Sequence, residues 1–391
     1  MRKQLIFSGL IIVLLLSVTA LVILYGTGYR FNFGGGKPDF FGTGLLVATS
    51  KPNGAQVFVD GHLTTATDNT LNLTPGDYTI KIFKDGYFPW EKRLKIKKEV
   101  VTKADALLFP TAPVLESLTN IGVKNPVLDP SGTRLAFEVA SQSARKNGIY
   151  IMDLSTRPIL TLQSSSTQVV DDTTDKFSDS SYSFSPDGTQ LIATTSAQTS
   201  YLLDSNSLNT SPRDVTATLS NVASDWEKQK ADKEKARLDS LPKALGKMIS
   251  ENFKIQEWAP DDSKILYEAS TSATLPIIIN PRLIGVDTTP EQRQLEKGLT
   301  YVYDIKEDKN YLIDVKSPKN LHWFPDASHL IYVDNSKIQI MDYDNTNLIT
   351  IYAGPFEDSY VFPWPDGSKL VILTNLGNSG TPPNLYTISL Q

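Results

Sequence analysis

The phrase FSPDGTQL at residues 184–191 decides the fold, because it recurs in four variants over the last two thirds of the chain. The variants are LDPSGTRL at 128–135, WAPDDSKI at 258–265, WFPDASHL at 323–330 and PWPDGSKL at 363–370. Proline presets one turn dihedral, and Asp or Gly tolerates a tight reversal, so each copy predicts a hairpin turn. An apolar run follows each turn, and a second apolar strand follows that run. Each copy therefore indicates one antiparallel unit of four strands.

The phrase resembles the SPDG turn of TolB-like and WD40-like β-propellers, and the resemblance covers residues 113–391. It implies a closed ring of about five blades, with unequal spacing between the copies absorbed by loops. The segment that begins at Val114 and the last strand, which begins at Leu385, each lack a complete blade. We expect these two ends to pair and close the ring. A sixth, degenerate blade around 275–281 is the alternative.

An uncharged run of 21 residues, 5–25, is long enough to cross a bilayer as a helix. Arg2 and Lys3 precede it, so the positive-inside rule places the N-terminus in the cytoplasm. We expect residues 1–27 to be a cytoplasmic tip and transmembrane signal anchor of a single-pass protein of the cytoplasmic membrane, with the remaining domains extracytoplasmic. A cleaved signal peptide is the alternative, although the run ends in VILYGTG without a small-x-small site. Residues 28–41 form a juxtamembrane linker.

Residues 42–110 alternate apolar and polar positions around three short turns, which predicts a small β-sandwich. The turns are Pro52-Asn53-Gly54-Ala55, Pro75-Gly76-Asp77-Tyr78 and Lys84-Asp85-Gly86-Tyr87. These motifs resemble a PEGA domain, with Asn53 in place of the Glu of the family name. The resemblance implies an envelope location and a role in binding or spacing, with no catalytic residue to carry over.

The predicted propeller, 111–391, is interrupted by a segment at 209–254 that predicts helices. Its first part is polar, and its second part, after Pro242, repeats apolar residues at helical spacing. Functional surfaces on rigid rings are often built by such insertions, so we take this segment as a candidate partner contact. The candidate residues here are Trp226, Lys230, Lys233 and Arg237. Solvated decoration without a partner is the alternative.

A second candidate contact is the basic cluster of Lys92, Arg93 and Lys95, which Lys97, Lys98 and Lys103 continue. Such a cluster suits phosphate-rich wall polymers or lipid headgroups. A charged edge strand that resists aggregation is the simpler interpretation. Nearby Tyr87, Phe88 and Trp90 could stack on a sugar, but residues of this kind more often complete a small core.

The composition of the chain argues against several kinds of site and ligand. The chain has no Cys, which excludes disulfides, thiolate zinc sites and cysteine nucleophiles. A net charge of −5 argues against a nucleic-acid binder. The recurring aspartates Asp187, Asp261, Asp326 and Asp366 occupy one turn position and are predicted to bond to their own turns. We predict no catalytic residue, no cofactor and no metal.

Two further groups contain side chains that can bind metals. His322 and His329 flank the fourth turn and are predicted to be turn-surface histidines. The run 342–347 has oxygen ligands at alternate positions, as a calcium loop does, but lacks the Gly and Glu that complete one. A polar turn is the better interpretation.

The sequence thus predicts a mainly β protein: an N-terminal transmembrane helix, a PEGA-like sandwich and a propeller with a helical insertion. We expect a membrane-anchored, non-enzymatic scaffold or binding protein whose partner is a protein, a peptide or a cell-wall glycan. A hydrolase or lyase that uses the propeller channel is one alternative. A sensor or assembly factor for another membrane protein is the other.

Overall fold

The computed structural model describes residues 2–26, 29–32, 39–155, 166–285 and 287–391. The chain divides into two compact units. The first contains Met1–Phe109 and Ile279–Pro290, and the second contains Pro110–Ile278 and Glu291–Gln391. The sequence analysis places residues 279–290 within the propeller, but in the structure they belong to the first unit.

The first unit begins with helix α1, Arg2–Gly26, whose described side chains at 7–23 are exposed. Within the described part of the chain, no helix has both the length and the hydropathy of a membrane span. The run predicted to span the membrane, 5–25, includes residues whose side chains lie outside the described part of α1. After the helix, β1 (Tyr29–Asn32) and β2 (Asp39–Gly42) form a hairpin in which Tyr29 pairs with Gly42.

A two-sheet sandwich follows. Its strands are β3 Gly44–Lys51, β4 Gln56–Val59, β5 His62–Ala66, β6 Asn69–Leu73, β7 Gly76–Phe83, β8 Trp90–Ile96 and β9 Val101–Leu107. The sheets have the orders β6-β3-β9 and β5-β4-β7-β8. Alternate residues face inward on β3, β8 and β9, as Trp90, Leu94 and Ile96 do on β8. Trp90 lies in this core and Tyr87 packs against it, so the core interpretation is confirmed for both.

The second unit contains five four-stranded antiparallel sheets in its described part. The first strands are β10 Leu115–Ser117, β11 Lys124–Leu128, β12 Arg134–Val139, β13 Gly148–Asp153, β14 Ser166–Asp171, β15 Ser180–Phe184, β16 Gln190–Thr195, β17 Ser200–Asp204, β18 Arg213–Asp214 and β19 Phe253–Trp258. The remainder are β20 Lys264–Ala269, β21 Thr300–Asp304, β22 Lys309–Leu312, β23 Leu321–Trp323, β24 His329–Asp334, β25 Lys337–Asp342, β26 Ile349–Ala353, β27 Val361–Pro363, β28 Lys369–Thr374 and β29 Asn384–Ser389. Four sheets are simple meanders, β11–β14, β15–β18, β19–β22 and β23–β26.

The fifth sheet joins the two ends of the unit, in the order β10-β29-β28-β27. Leu115 pairs with Ile388, and the amide of Leu118 donates to the Leu385 carbonyl at 2.8 Å. The predicted pairing of the two ends is therefore confirmed. Apolar clusters join neighbouring sheets, for example the first with the second and the first with the fifth. The arrangement is propeller-like, and 275–281 forms no strand in any of the described sheets.

The predicted insertion is a helix pair, α2 (Leu219–Ser240) and α3 (Lys243–Asn252), which separates β18 from β19. On α3, Leu245, Met248 and Ile249 are buried in a cluster with Tyr267 and Tyr303 of the third sheet. The amphipathic second part of the insertion thus packs on the propeller, as its spacing predicted.

Candidate functional site

The recurring aspartates each accept a backbone hydrogen bond from the residue two positions later. Asp187 accepts from Thr189 at 3.0 Å and Asp261 from Ser263 at 3.0 Å. Asp326 accepts from Ser328 at 2.8 Å and Asp366 from Ser368 at 2.9 Å. The first turn does this differently: Asp129, before the proline, accepts from the amides of Thr133 and Arg134. The prediction that these carboxylates stabilise their own turns is confirmed.

Hydrogen bonding favours the ionised form of Asp187 and Asp261. The Ser185 hydroxyl and the Thr189 amide lower the pKa of Asp187. Partial burial opposes ionisation of Asp261, but bonds from Ser263 and the ammonium of Lys306 outweigh it and lower its pKa to about 2. A carboxyl group with a low pKa is a poor general acid or base at neutral pH, so we assign Asp187 and Asp261 to holding the backbone of their turns.

His329 corrects the sequence analysis, which placed it on the turn surface. Its side chain is buried, with Nδ1 at 2.6 Å from Asp326 Oδ2 and Nε2 at 3.4 Å from Asp342 Oδ1. Burial alone would lower its pKa, but the two carboxylates outweigh burial and raise that pKa to about 10. The imidazolium therefore ties the fourth turn to the end of β25. His322 is exposed, as predicted, with its ring 3.3 Å from Glu257.

The run 342–347 folds as a polar turn. Thr346 Oγ1 donates to Asp344 at 2.6 Å, and Asn347 Nδ2 donates to Asp342 at 3.1 Å. Asp342 also faces His329. Side-chain donors and a cation thus occupy the oxygens that a calcium ion would need. Across the described residues, no group of three or more His, Asp or Glu side chains has an arrangement that could hold a metal ion.

The five turns surround a cavity of about 680 Å³ in the second unit, which we call the mouth. Each turn contributes its proline: Pro130, Pro186, Pro260, Pro325 and Pro365. Three aromatic residues add to the wall: Phe184, Trp258 and Trp323. Helix α2 adds Lys230, Lys233, Glu234 and Arg237 to the lining, and the other polar side chains there are Asp129, Ser131, Gln256 and Glu257. A cavity of this size that combines apolar walls with a set of polar groups is a usual form of ligand site.

Helix α2 is fixed to the mouth by two side chains one turn apart. The Trp258 indole Nε1 donates to the Glu234 carboxylate at 2.9 and 3.0 Å. Arg237 lies with its guanidinium carbon 5.5 Å from the centre of the Trp258 ring, and its Nη2 is 3.1 Å from Asp262 Oδ1. We call these contacts the latch. The polar part of the insertion therefore lies along the ring opening.

Three of the seven candidate contact residues line the mouth: Lys230, Lys233 and Arg237. Trp226, also on α2, is buried, so its indole is not a surface contact. Sequence reasoning did not select Trp258, Trp323 or the prolines as site residues, although the turn phrase contains all of them. The signal was present, because residues at one position of every repeat meet at one end of a ring.

The remaining three candidates lie on β8 of the sandwich. The two sheets of this sandwich and its Pro-Asn-Gly turn are consistent with a match to a known domain family. Residues 43–111 match the PEGA domain family. On this PEGA domain Lys92 is largely buried, with its ammonium 3.4 Å from Asp287, while Arg93 and Lys95 are exposed. A comparison with curated proteins gives no match.

Solved structures similar to the chain include two TolB proteins. The putative TolB from Agrobacterium tumefaciens is 15% identical, with a TM-score of 0.22, over 70% of this chain and 74% of that one. TolB from Acinetobacter baumannii is 16% identical, with a TM-score of 0.24, over 80% and 60% of the two chains. A eukaryotic initiation factor gives 10% identity and a TM-score of 0.21 over 84% and 66%. These scores are low, and the five sheets are defined by the pairing of their own strands.

Proposed function

We propose that this chain is a non-catalytic binding protein that binds an extended segment of another protein at the mouth. The observation that carries the proposal is the meeting of all five turns and helix α2 around one cavity of about 680 Å³. In four of the turns the aspartate carboxylate accepts the same backbone hydrogen bond, which gives the cavity a rigid rim. A rigid rim lowers the entropic cost of binding.

The burial of the aromatic rings at the mouth favours a peptide ligand over a glycan. Sugar recognition needs an open aromatic face, but Trp258 is 9% exposed and Trp323 is 3% exposed. Arg237 covers the Trp258 ring, and Arg134 lies 5.9 Å from the centre of the Phe184 ring. The prolines and the edges of these rings remain as an apolar wall. Such a wall suits apolar side chains and prolines of a peptide.

The charges at the mouth favour acidic side chains in that peptide. Each of the three carboxylates in the lining faces a partner: Glu234 accepts from Trp258, Asp129 accepts from its own turn, and Glu257 lies 3.3 Å from the His322 ring. Arg237 pairs with Asp262. Lys233 is exposed and has no ion-pair partner among the described residues, and Lys230 pairs with the exposed Glu227. An exposed pair of this kind is weak and exchanges readily for a ligand carboxylate. Lys230 and Lys233 are therefore the proposed anchors for acidic residues.

We also propose that the N-terminal helix attaches the chain to the cytoplasmic membrane, with both units on the extracytoplasmic side. The uncharged run 5–25 and the basic Arg2 and Lys3 before it support this orientation. The PEGA domain is the part next to the helix in sequence. Its proposed role is to space the propeller from the membrane, where the partner is a protein of the cell envelope.

A peptide library tests the binding site directly, because random sequences sample many kinds of partner segment. The probe is a phage-displayed library of random dodecapeptides, selected on the detergent-solubilised full chain. Selected peptides are then measured on two double variants, Lys230→Glu/Lys233→Glu and Lys228→Glu/Lys235→Glu. Both variants change the charge of α2 equally, but Lys228 and Lys235 are exposed residues outside the lining of the mouth.

We expect the selection to enrich peptides with acidic residues beside proline or an apolar residue. Reversal of the two mouth lysines should weaken their binding about tenfold or more, which corresponds to the loss of roughly one charge-assisted contact. The control pair should change binding less than threefold, through long-range electrostatics alone. Selection of no peptide, or equal losses in both variants, would contradict the proposal.

A further inference from the structure

Three aliphatic side chains of the first unit are exposed on stretches of backbone that approach each other. Val101, Leu283 and Ile284 are 48, 44 and 72% exposed. The backbone of Gly285 runs against the start of β9, since a Cβ at that residue would lie 2.9 Å from the Val101 carbonyl oxygen. Gly285 also has a φ of +79°, which favours glycine at this close approach. The backbone that directly follows Leu283 and Ile284, in segment Ile279–Pro290, therefore lies beside Val101.

The segment is held in this place by contacts to the edge strand β8. Lys92 lies 3.4 Å from Asp287. The amide of Lys95 donates to Thr288 Oγ1 at 3.2 Å, and that hydroxyl lies 3.3 Å from the Arg93 carbonyl, to which it donates. The two exposed aliphatic residues thus extend from a docked segment of fixed position.

Lysines border this apolar group. Lys97 and Lys98 are in the turn between β8 and β9, and Lys103 shares the exposed face of β9 with Val101. Lys98 is 51% exposed at its side chain and lies 3.7 Å from Glu99, which is a weak surface pair. We call Val101, Leu283, Ile284, Lys97, Lys98 and Lys103 the basal patch. Exposed aliphatic residues with lysines nearby suit an anionic bilayer surface, where apolar side chains enter the headgroup layer and lysines meet lipid phosphates.

The path of the chain places the basal patch near the end of helix α1. The turn after β8 packs on Gly42, because the stem of Lys98 lies directly against that glycine. The Glu99 amide donates to the Thr43 carbonyl at 3.0 Å. Gly42 in turn pairs with Tyr29, which is three residues after Gly26, the last residue of α1. Three residues span at most about 11 Å.

We infer that the basal patch binds the surface of an anionic lipid bilayer, with Leu283 and Ile284 in the headgroup layer and the lysines on lipid phosphates. This inference rests on the membrane attachment proposed above. Attachment through α1 would bring the patch to the same bilayer, so that weak contacts act at high effective concentration. The PEGA domain would then be held at a fixed tilt to the membrane.

A single dye measures insertion at the patch. Because the sequence has no Cys, Ile284→Cys carries the only thiol of the full chain and takes one NBD label. The control is Leu348→Cys, an equally apolar site that is 47% exposed in the second unit. Both proteins are reconstituted in nanodiscs of phosphatidylcholine alone or with phosphatidylglycerol, each with and without doxyl-labelled lipid.

We expect the label at 284 to shift to the blue and to be quenched by doxyl lipid in anionic discs, and the label at 348 to do neither. Lys97→Glu/Lys98→Glu should abolish the difference between the two lipid compositions. Equal emission at the two sites would overturn the inference, and so would a blue shift at 284 without doxyl quenching, which indicates a protein contact. Co-elution with discs reports attachment separately. If attachment fails, the same labels are read with anionic vesicles added to the chain, where an unchanged emission at 284 overturns the inference.

Discussion

The indole Nε1 of Trp258 donates to both carboxylate oxygens of Glu234, at 2.9 and 3.0 Å. One partner belongs to a turn phrase of the ring, and the other belongs to the polar helix that interrupts the repeat. The pair therefore connects the rigid part of the mouth with its one helical wall. Access to the cavity depends on how firmly this connection holds.

The first prediction concerns that connection. Glu234→Ala leaves the indole N–H of a largely buried tryptophan without its acceptor, at a cost of about 1–3 kcal/mol. Helix α2 should then open more often, while the sheets keep their stability. Hydrogen exchange of the amides in Leu219–Ser240 should accelerate about tenfold or more. The control is Glu227→Ala on the same helix, whose partner is the exposed Lys230. If exchange accelerates equally in both variants, the latch does not hold the helix.

A buried polar network joins three sheets away from the mouth. The Glu138 carboxylate accepts from the Ser180 amide at 3.1 Å and from Asn125 Nδ2 at 3.0 Å. Tyr360 donates to Asn125 Oδ1 at 3.3 Å, and Tyr182 donates to the Asn125 carbonyl. Burial outweighs these donors and raises the pKa of Glu138 to about 7.

The second prediction follows from that pKa. A carboxyl group that is harder to ionise in the folded state contributes full stability below its unfolded pKa, near 4.5, and loses it as the pH rises through about 7. The loss is on the order of 3 kcal/mol. Glu138→Gln has no charge to bury, so its stability relative to the native chain should rise between pH 4.5 and pH 8. Urea unfolding at both pH values measures this difference, and a constant difference would exclude Glu138 as the titrating group.

The third prediction concerns His329. Its pKa is raised to about 10 when folded, from 6.5, so its ion pairs contribute fully below pH 6.5 and are lost as the pH rises through about 10. The ring should therefore stay protonated between pH 6 and pH 8. With only three histidines in the chain, selective ¹³C labelling resolves each one by NMR. A midpoint for His329 near 6.5 would mean that the two carboxylates do not hold the cation.

The fourth prediction tests ring closure. Ser117 and Tyr386 are directly opposite in the β10–β29 pair, next to the hydrogen-bonded pair of Leu118 and Leu385. Alternation of the antiparallel ladder makes them a non-hydrogen-bonded pair, with Cα atoms about 4.5 Å apart, which a disulfide can bridge. Ser117→Cys/Tyr386→Cys should oxidise spontaneously and raise the melting temperature by several degrees over its reduced form. Failure to form this bond would show that the ends do not pair.

The repeat phrase predicted the five sheets and the paired ends because turn chemistry and strand alternation are local properties. Asp187 and its counterparts could be assigned to their turns for the same reason. The unequal spacing between copies of the phrase did not change the predicted number of sheets, because insertions do not alter the strands on either side.

What the sequence could not provide were contacts between distant segments. No sequence feature near Asp287 predicts that its segment packs against Lys92. Likewise, no feature near Glu234 identifies Trp258 as its partner. His329 was misplaced because a turn position is usually exposed, whereas Asp342, thirteen residues later, closes over it. Helix α2 begins at Leu219, and its N-cap residue, Thr218, makes no side-chain cap hydrogen bond, so no capping pattern marks its start.

Photo-crosslinking of a selected peptide tests most directly the central claim that the mouth binds protein segments. Benzoylphenylalanine is placed in the full chain at Gln256, which lines the mouth, or at Ala197, an exposed residue at the opposite end of β16 from its turn phrase. We predict an adduct with the peptide from position 256, suppressed by excess unlabelled peptide, and none from position 197. An adduct from 197, or none from 256 at a peptide concentration that saturates binding, would contradict the account.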